Sequence, residues 1–260
     1  MSGFIRQIYK SILPYESRLW LYKHRHLKDY EQLRTVVHHS PKGDFSLKPF
    51  DDHQCIFIHI TKTAGTSVAK SLFGYLPYHY TACDYRVIYG RKIFNQYFKF
   101  AFVRNPWDRL YSAYRYLKAG GWDENDKIWA EAHLLQFESF NSFIKQWLTI
   151  DNINKHRHFW PQYRFICDAK GRPLINYLAY FETIDEDFRK ICKILQIDAS
   201  IGRHNANPGD NYRDVYDDEA QKIVADIYSR DIQLFGYSFD GIKDRNALSQ
   251  GPASDNAVQI

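Results

Sequence analysis

Cysteine is scarce and scattered in this chain. Four residues, Cys55, Cys83, Cys167 and Cys192, are spread over 260 positions and form no C-x-x-C pair. Neither a zinc site nor a disulfide framework is indicated, so reduced thiols and a cytoplasmic setting are the simple expectation. No apolar run approaches the ~20 residues that cross a bilayer, and the first thirty residues lack the apolar stretch of a signal peptide. Charge of one sign is not concentrated either: 35 Lys and Arg stand against 30 Asp and Glu, a net +5. That excess is too small to argue for nucleic acid, and no zinc-finger, RNP or basic-zipper pattern occurs. Internal repeats are also missing.

What the chain has in plenty is aromatic surface. Phe, Tyr and Trp make up 17% of it, with 20 Tyr and 18 Phe, more than a core requires; aromatic-lined grooves or a Tyr-rich surface would absorb the excess. With 45% hydrophobic and 25% charged residues the composition is globular. The length suits one generous α/β domain, or one with a helical appendage. A pI of about 8.8 favours anionic partners. Near the start, Phe4, Ile5, Ile8, Tyr9, Ile12 and Leu13 recur at helical spacing among Arg6, Lys10, Arg18, Lys23, Arg25 and Lys28. Residues 1–50 are therefore expected to form a helical extension, packed on the domain or lying weakly on an anionic membrane.

The informative region begins at Cys55. The run Cys55–Ile60 is nearly all apolar, as in a buried parallel strand. It breaks into Thr61-Lys62-Thr63-Ala64-Gly65-Thr66-Ser67, after which Val68, Ala69, Leu72 and Phe73 follow at helical spacing up to Gly74. A second strand, 98–103, leads to Arg104-Asn105-Pro106-Trp107, with Asn105 suited to cap a helix and Pro106 to its first position. Leu110, Tyr111, Tyr114 and Leu117 carry that helix to Gly120-Gly121. Residues 122–150 read as mostly helical, 175–181 as a third strand and 185–195 as a helix. A polar loop spans 199–214, and a helix opened by Asp217, Asp218 and Glu219 follows. Strands alternating with helices give an α/β fold with an open, mostly parallel sheet, whose ligands sit beyond the strand C-termini. Both loops lie there.

Residues 62–67 form a loop suited to a phosphate-like group. Backbone N–H groups at a helix start, small residues Ala64 and Gly65, hydroxyls of Thr63, Thr66 and Ser67, and the charge of Lys62 all serve an anion. An ordinary capped turn is the plainer alternative. It is not a Walker A loop, because Ile60 stands at the first Gly position and Thr66 follows Gly65 where Lys belongs.

Here the resemblance becomes specific. The string 57–67, F-I-H-I-T-K-T-A-G-T-S, resembles the 5′-phosphosulfate loop of the carbohydrate sulfotransferases, and 102–114, F-V-R-N-P-W-D-R-L-Y-S-A-Y, resembles their 3′-phosphate motif. Further likeness lies in His158-Phe159-Trp160-Pro161-Gln162, around Tyr180-Phe181-Glu182, and in Tyr228…Asp231…Leu234-Phe235-Gly236-Tyr237. It spans roughly 54–239. Many members have Pro where this chain has Thr61. The resemblance implies a P-loop-NTPase-like sulfotransferase fold over residues 51–240, with 241–260 a disordered tail. It implies transfer of a sulfuryl group from PAPS (3′-phosphoadenosine 5′-phosphosulfate), without metal, to a hydroxyl of a polysaccharide or glycolipid precursor. Many relatives are membrane-anchored Golgi enzymes, and a soluble member is expected here.

Under that resemblance Lys62 serves the leaving and bridging oxygens, and Thr63, Ala64, Gly65, Thr66 and Ser67 hold the 5′-phosphate. Arg104 and Ser112 take the 3′-phosphate. Taken alone, Arg104 would be a surface ion-pair residue, with Asp108 as partner, and Arg109 reads as structural. His158 is the expected base, with His156, His133 and Glu131 as rivals; His59, in the strand, reads as a hydrogen-bonded structural residue. The loop holding Arg203, His204, Asn205, Asn207, Tyr212 and Arg213 is a candidate cover for the nucleotide. Trp122, Trp129, Trp147 and Trp160 are candidate sugar platforms, and Lys118, Lys127, Lys145, Lys155, Arg157 and Arg164 candidate contacts for a charged glycan. The competing readings are a P-loop kinase or NTPase, and a non-catalytic anion- or glycan-binding module of the same fold.

Overall fold

The computed structural model describes residues 43–202 and 211–250; the basic segment 1–42 and residues 203–210 and 251–260 lie outside the described residues. Three parallel strands, β1 (Cys55–Ile58), β2 (Phe98–Val103) and β3 (Tyr177–Tyr180), form one sheet in the order β1-β2-β3. β1 pairs Cys55 with Phe98 and Ile58 with Ala101, and β2 pairs Phe100 with Tyr177 and Val103 with Tyr180. Every residue of β1, and all of β2 after Phe98, is buried. That explains the absence of polar alternation: helices cover both faces of such a sheet.

The expected strand–loop–helix units form. α1 (Lys48–Asp52) precedes β1, and α2 (Gly65–Phe73) follows it, ended by Gly74 at φ 71°. α3 (Ala82–Gln96) fills a stretch for which composition suggested no element, with its kink at Gly90. A capping box marks its start: the Thr81 hydroxyl accepts the Asp84 N–H at 3.2 Å, and the Asp84 carboxylate accepts the Thr81 N–H at 2.8 Å. α4 (Pro106–Lys118) follows β2 with the cap and the first-position proline as read. α5 (Glu124–His133) and α6 (Phe140–Trp147) resolve the helical region 122–150. After them come α7 (Tyr163–Ile166), α8 (Ile184–Leu195) beyond β3, α9 (Asp218–Ile227) capped by Asp217, and α10 (Ser229–Phe235).

The aromatics go mainly into the interior. Tyr85, Tyr180, Phe57, Phe100, Phe102 and Phe235 are among the largest fully buried side chains, and they fill the core around the sheet. A second core, built by Trp107, Leu110, Tyr114, Phe140, Phe143, Trp147, Phe159 and Val224, joins α4, α6 and α9. Two packed cores absorb the aromatic excess that had suggested grooves. The four cysteines are free thiols, and no helix among the described residues is long and apolar enough to cross a membrane.

The tail departs from expectation. Residues 241–250 are ordered: β5 (Gly241–Ile242) pairs antiparallel with β4 (Tyr237–Ser238), and a short 3₁₀ turn spans Ala247–Gln250. The physical reason is Asp187, fully buried on α8. Its carboxylate accepts from Tyr177 Oη, Tyr180 N–H and Thr183 Oγ1, and Arg245 supplies the charge at 2.7 Å. A buried carboxylate without a cation costs several kcal/mol, so the tail is recruited as counter-ion.

Asn105 joins the second loop to β4. Its Oδ1 accepts the Trp107 N–H at 3.1 Å and its Nδ2 donates to the Ser238 carbonyl at 2.8 Å. Replacing Asn105 by Ala leaves both groups unpaired, and urea denaturation should show a loss of about 2–3 kcal/mol.

Candidate active site

Beyond β1 the chain turns sharply. Lys62 and Ala64 both adopt positive φ, 66° and 62°, although neither is glycine. Such residues cost on the order of 1–2 kcal/mol each and persist only when the surroundings enforce them. Here the enforcing contacts are visible. Thr63, fully buried, donates its hydroxyl to the Ile60 carbonyl at 3.0 Å. Its proton is thus spent inside the loop, leaving the backbone N–H as what Thr63 can offer an anion. Arg109, buried on α4, donates from Nε to the Thr61 carbonyl at 2.9 Å, from Nη2 to the Thr61 hydroxyl at 3.0 Å and from Nη1 to the Trp160 carbonyl at 2.9 Å. Arg109 is the structural strut expected of it, and the Thr61 hydroxyl is its anchor.

α2 starts at Gly65, and its first intrahelical bond runs from Val68 N–H to the Ala64 carbonyl at 3.1 Å. The amides before Val68 therefore face the end of the sheet, with the positive end of the helix dipole behind them. Gly65 is required by a neighbour: a Cβ there would lie 1.9 Å from Cδ2 of His59. His59 is buried, bonded to the Pro77 carbonyl, while its Nδ1 has no partner among the described residues.

Beyond β2, Arg104 forms the ion pair with Asp108. Nε and Nη2 donate to the two carboxylate oxygens at 2.7 and 2.8 Å, and Nη1 donates to the Lys62 carbonyl at 3.2 Å. The guanidinium stacks on Phe181 at 4.1 Å. One N–H on each terminal nitrogen is left for a ligand, a fork matched to a phosphate edge. Asp108, Ser112 and Tyr116 follow one another at four-residue spacing on α4, so they share a face. Asp108 holds Arg104 at one end, Tyr116 touches Lys62 at the other, and half-buried Ser112 lies between.

The later motifs brace this loop. The Gln162 amide brackets Arg104, accepting its N–H at 3.0 Å and donating to its carbonyl at 2.8 Å. Asp231, buried on α10, accepts the N–H groups of Gln162 at 2.6 Å and Tyr163 at 2.9 Å; desolvation pushes its carboxyl up to about 6. Glu182 accepts the Asn105 N–H at 2.6 Å and the Tyr237 hydroxyl at 2.9 Å. The Tyr228 hydroxyl donates to the Phe159 carbonyl at 2.7 Å.

On the other side of Lys62 lies a histidine array. The Lys62 ammonium sits 3.9 Å above the Tyr116 ring. Burial, then the charges of Arg104 and Arg109, lower it to about 8, with Asp126 opposing. His158 packs edge-on against Tyr116 at 4.8 Å, with His156 at 5.2 Å and His79 at 6.5 Å. Burial first, and then the nearby His156, His79, Lys62 and Arg109, hold His158 well below the usual imidazole range, and its Nδ1 has no partner among the described residues. A neutral ring is the form that accepts a proton. His156 instead pairs with Asp126 at 3.2 Å, His133 lies flat on Trp129, and Glu131 is exposed on α5. The structure thus brings Lys62, Arg104, Ser112 and His158 around one end of the sheet. Sequence reasoning missed Tyr116, His79 and Asp126; for Tyr116 the helical spacing from Asp108 and Ser112 was the available signal.

Of the candidate platforms, Trp147 is buried, Trp129 is sandwiched among His133 and His156, and Trp122 is 63% exposed. Trp160 lies between Arg164 at 4.3 Å and Arg157 at 5.5 Å. Lys145 is engaged by Asp217 and Glu219, and Lys127 by Glu124. Arg203, His204, Asn205 and Asn207 lie outside the described residues, while Tyr212 is buried and bonds to the Phe239 carbonyl, with Arg213 over its ring.

The Gly65–His59 contact is testable. Gly65→Ala should destabilise the protein by about 1–3 kcal/mol through overpacking, and His59→Ala in the same chain should recover most of that loss. Thermal unfolding of both single variants and the double variant measures the coupling.

A protein of Archaeoglobus fulgidus described as uncharacterized is 29% identical over 127 residues, covering 48% of this chain and 91% of the relative. No solved structure matches. The Sulfotransferase family profile matches residues 47–238, which take in both anion-facing loops and the braces behind them. The chain belongs to the sulfotransferase family, whose members transfer sulfuryl groups.

Proposed function

We propose that the protein transfers a sulfuryl group from PAPS to a hydroxyl of a carbohydrate acceptor. The observation that carries this reading is Lys62, which stands just before the helix start at Gly65 and rests its ammonium on the Tyr116 ring against which His158 packs. PAPS carries two phosphate-bearing ends, and the residues fit them. The amides of Gly65, Thr66 and Ser67, with Lys62, suit the 5′ end, and the open edge of Arg104 with Ser112 suits the 3′-phosphate. PAPS brings the activated sulfuryl group; this chain supplies position and charge.

By analogy with loose phosphoryl transfer, charge grows on the oxygen that leaves. Lys62 neutralises that charge, and the α2 amides share it. His158 receives the proton of the attacking hydroxyl, a role suited to a ring that is neutral at physiological pH. Tyr116 and His156 pack against His158, Trp129 packs against His156, and Arg157 and Arg164 lie over the Trp160 ring close by, which adds cationic charge to an aromatic surround. A saccharide bearing acidic groups suits that surround.

Calorimetric titration with 3′-phosphoadenosine 5′-phosphate tests the donor assignment. Lys62→Ala and Arg104→Ala should each weaken binding about 10–100-fold, the loss of one charge-assisted contact. His158→Ala should bind normally and lose turnover. Binding of ATP-magnesium in place of this nucleotide would restore the kinase reading, and binding without turnover on any glycan would favour a binding module.

The same titration has a predictable pH dependence. The ligand binds the protonated form of Lys62, whose pKa in the free protein is about 8. Affinity should hold between pH 6.5 and roughly 8 and then fall toward tenfold per unit above it. Lys62→Ala should lack that fall.

A further inference from the structure

We infer that Asp126 is a positioning residue that ties the lysine side of the transfer site to its histidine side. This rests on the functional reading above, and the geometry behind it is independent of any ligand. Asp126 lies in the first turn of α5, its N–H capped by Asp123 at 3.0 Å. Its carboxylate is mostly buried, with 16% of the side chain exposed. Oδ2 accepts the Tyr116 hydroxyl at 3.0 Å and the Trp122 N–H at 2.9 Å, and Oδ1 faces His156 Nε2 at 3.2 Å. Room for it is made by Gly121, at φ +67°, where a Cβ would lie 2.2 Å from that of Asp126.

Each partner of Asp126 touches one half of the site. Tyr116 is the ring on which the Lys62 ammonium rests and against which His158 packs. His156 accepts the His158 N–H on Nδ1 at 3.3 Å, so its own proton sits on Nε2 and points at Asp126. One carboxylate therefore fixes the tautomer and orientation of His156, and through it the backbone at His158. Through the phenol it fixes the ring beneath Lys62. Its negative charge also favours the protonated lysine, against the opposing charges of Arg104 and Arg109. Around His156 the other facing groups are Arg157 and His133.

Asp126→Asn is nearly isosteric and puts this to the test. The two donors at Oδ2, Tyr116 O–H and Trp122 N–H, demand the amide oxygen, so the NH₂ meets His156 Nε2. His156 must then move its proton to Nδ1, where it opposes the His158 N–H. Imidazole ¹⁵N spectra should show the Nε2–H tautomer in the wild type and Nδ1–H in Asp126→Asn. Tyr116→Phe, which keeps the ring and the Asp126–His156 pair, should leave the tautomer unchanged. Titration with 3′-phosphoadenosine 5′-phosphate should show Asp126→Asn losing affinity from a lower pH than wild type, roughly threefold to tenfold at pH 8. An Nδ1–H tautomer in the wild type, an unchanged tautomer in Asp126→Asn, or identical pH profiles would overturn the assignment. If Asp126→Asn fails to fold, the wild-type and Tyr116→Phe spectra still decide. Failure of the wild type to bind the nucleotide would sink the donor assignment instead, and the tautomer result would stand apart from it.

Discussion

The carboxamide of Gln162 is the joint on which the site depends. It satisfies both the N–H and the carbonyl of Arg104, the residue at which β2 stops being a strand and its ladder bonds end. A buried strand end with unpaired backbone groups would cost several kcal/mol. Gln162 removes that cost and at the same time fixes where the Arg104 side chain departs. It is itself held by Asp231, whose carboxylate spans two successive amides, while Glu182 performs the matching service for Asn105. Two distant side chains thus converge on Arg104 and Asn105, and a third, Asp231, holds one of them in place.

Around that joint the molecule divides its labour between two cores. The sheet core makes a rigid floor from which the β1 and β2 loops emerge on the same side. The helical core, rich in Phe and Trp, carries α4 and the 3₁₀ turn at Arg157–Phe159 that bears His158. α4 belongs to both. Its face with Asp108, Ser112 and Tyr116 looks onto the loops after β1 and β2, and its buried Arg109 pins Thr61 and Trp160 together. Packing and the Arg109 hydrogen bonds together set the distance between these loops and the histidine array.

Much of this was legible in the chain itself, for identifiable reasons. β1 and β2 read clearly because buried parallel strands are apolar throughout, and the helices after them read clearly because Asn105, Pro106 and Gly74 are local signals. Lys62 and Arg104 stood out for their place at strand ends. α3 escaped notice because its amphipathic pattern is weak and its one clear sign, the Thr81–Asp84 box, is a four-residue motif in an otherwise irregular stretch. The ordered tail escaped for a different reason. Arg245 is an ordinary polar residue until Asp187 is known to be buried 58 positions earlier, and no local pattern carries that pairing. Asp126 was hidden in the same way: it reads as a helix-start carboxylate and becomes part of the site only when Tyr116 and His156 fold against it.

The bond from Arg104 Nη1 to the Lys62 carbonyl has a consequence for selectivity. It welds the two cationic loops into one frame, with Asp108 and Phe181 setting the plane of the guanidinium. On the proposed reading such a frame would work as a gauge of the span between two negative groups on one ligand, not of how much charge is crowded at either end. A ligand with all its phosphates in a single chain would load one jaw and leave the other empty, whereas one with anions at both ends of a ribose would close both.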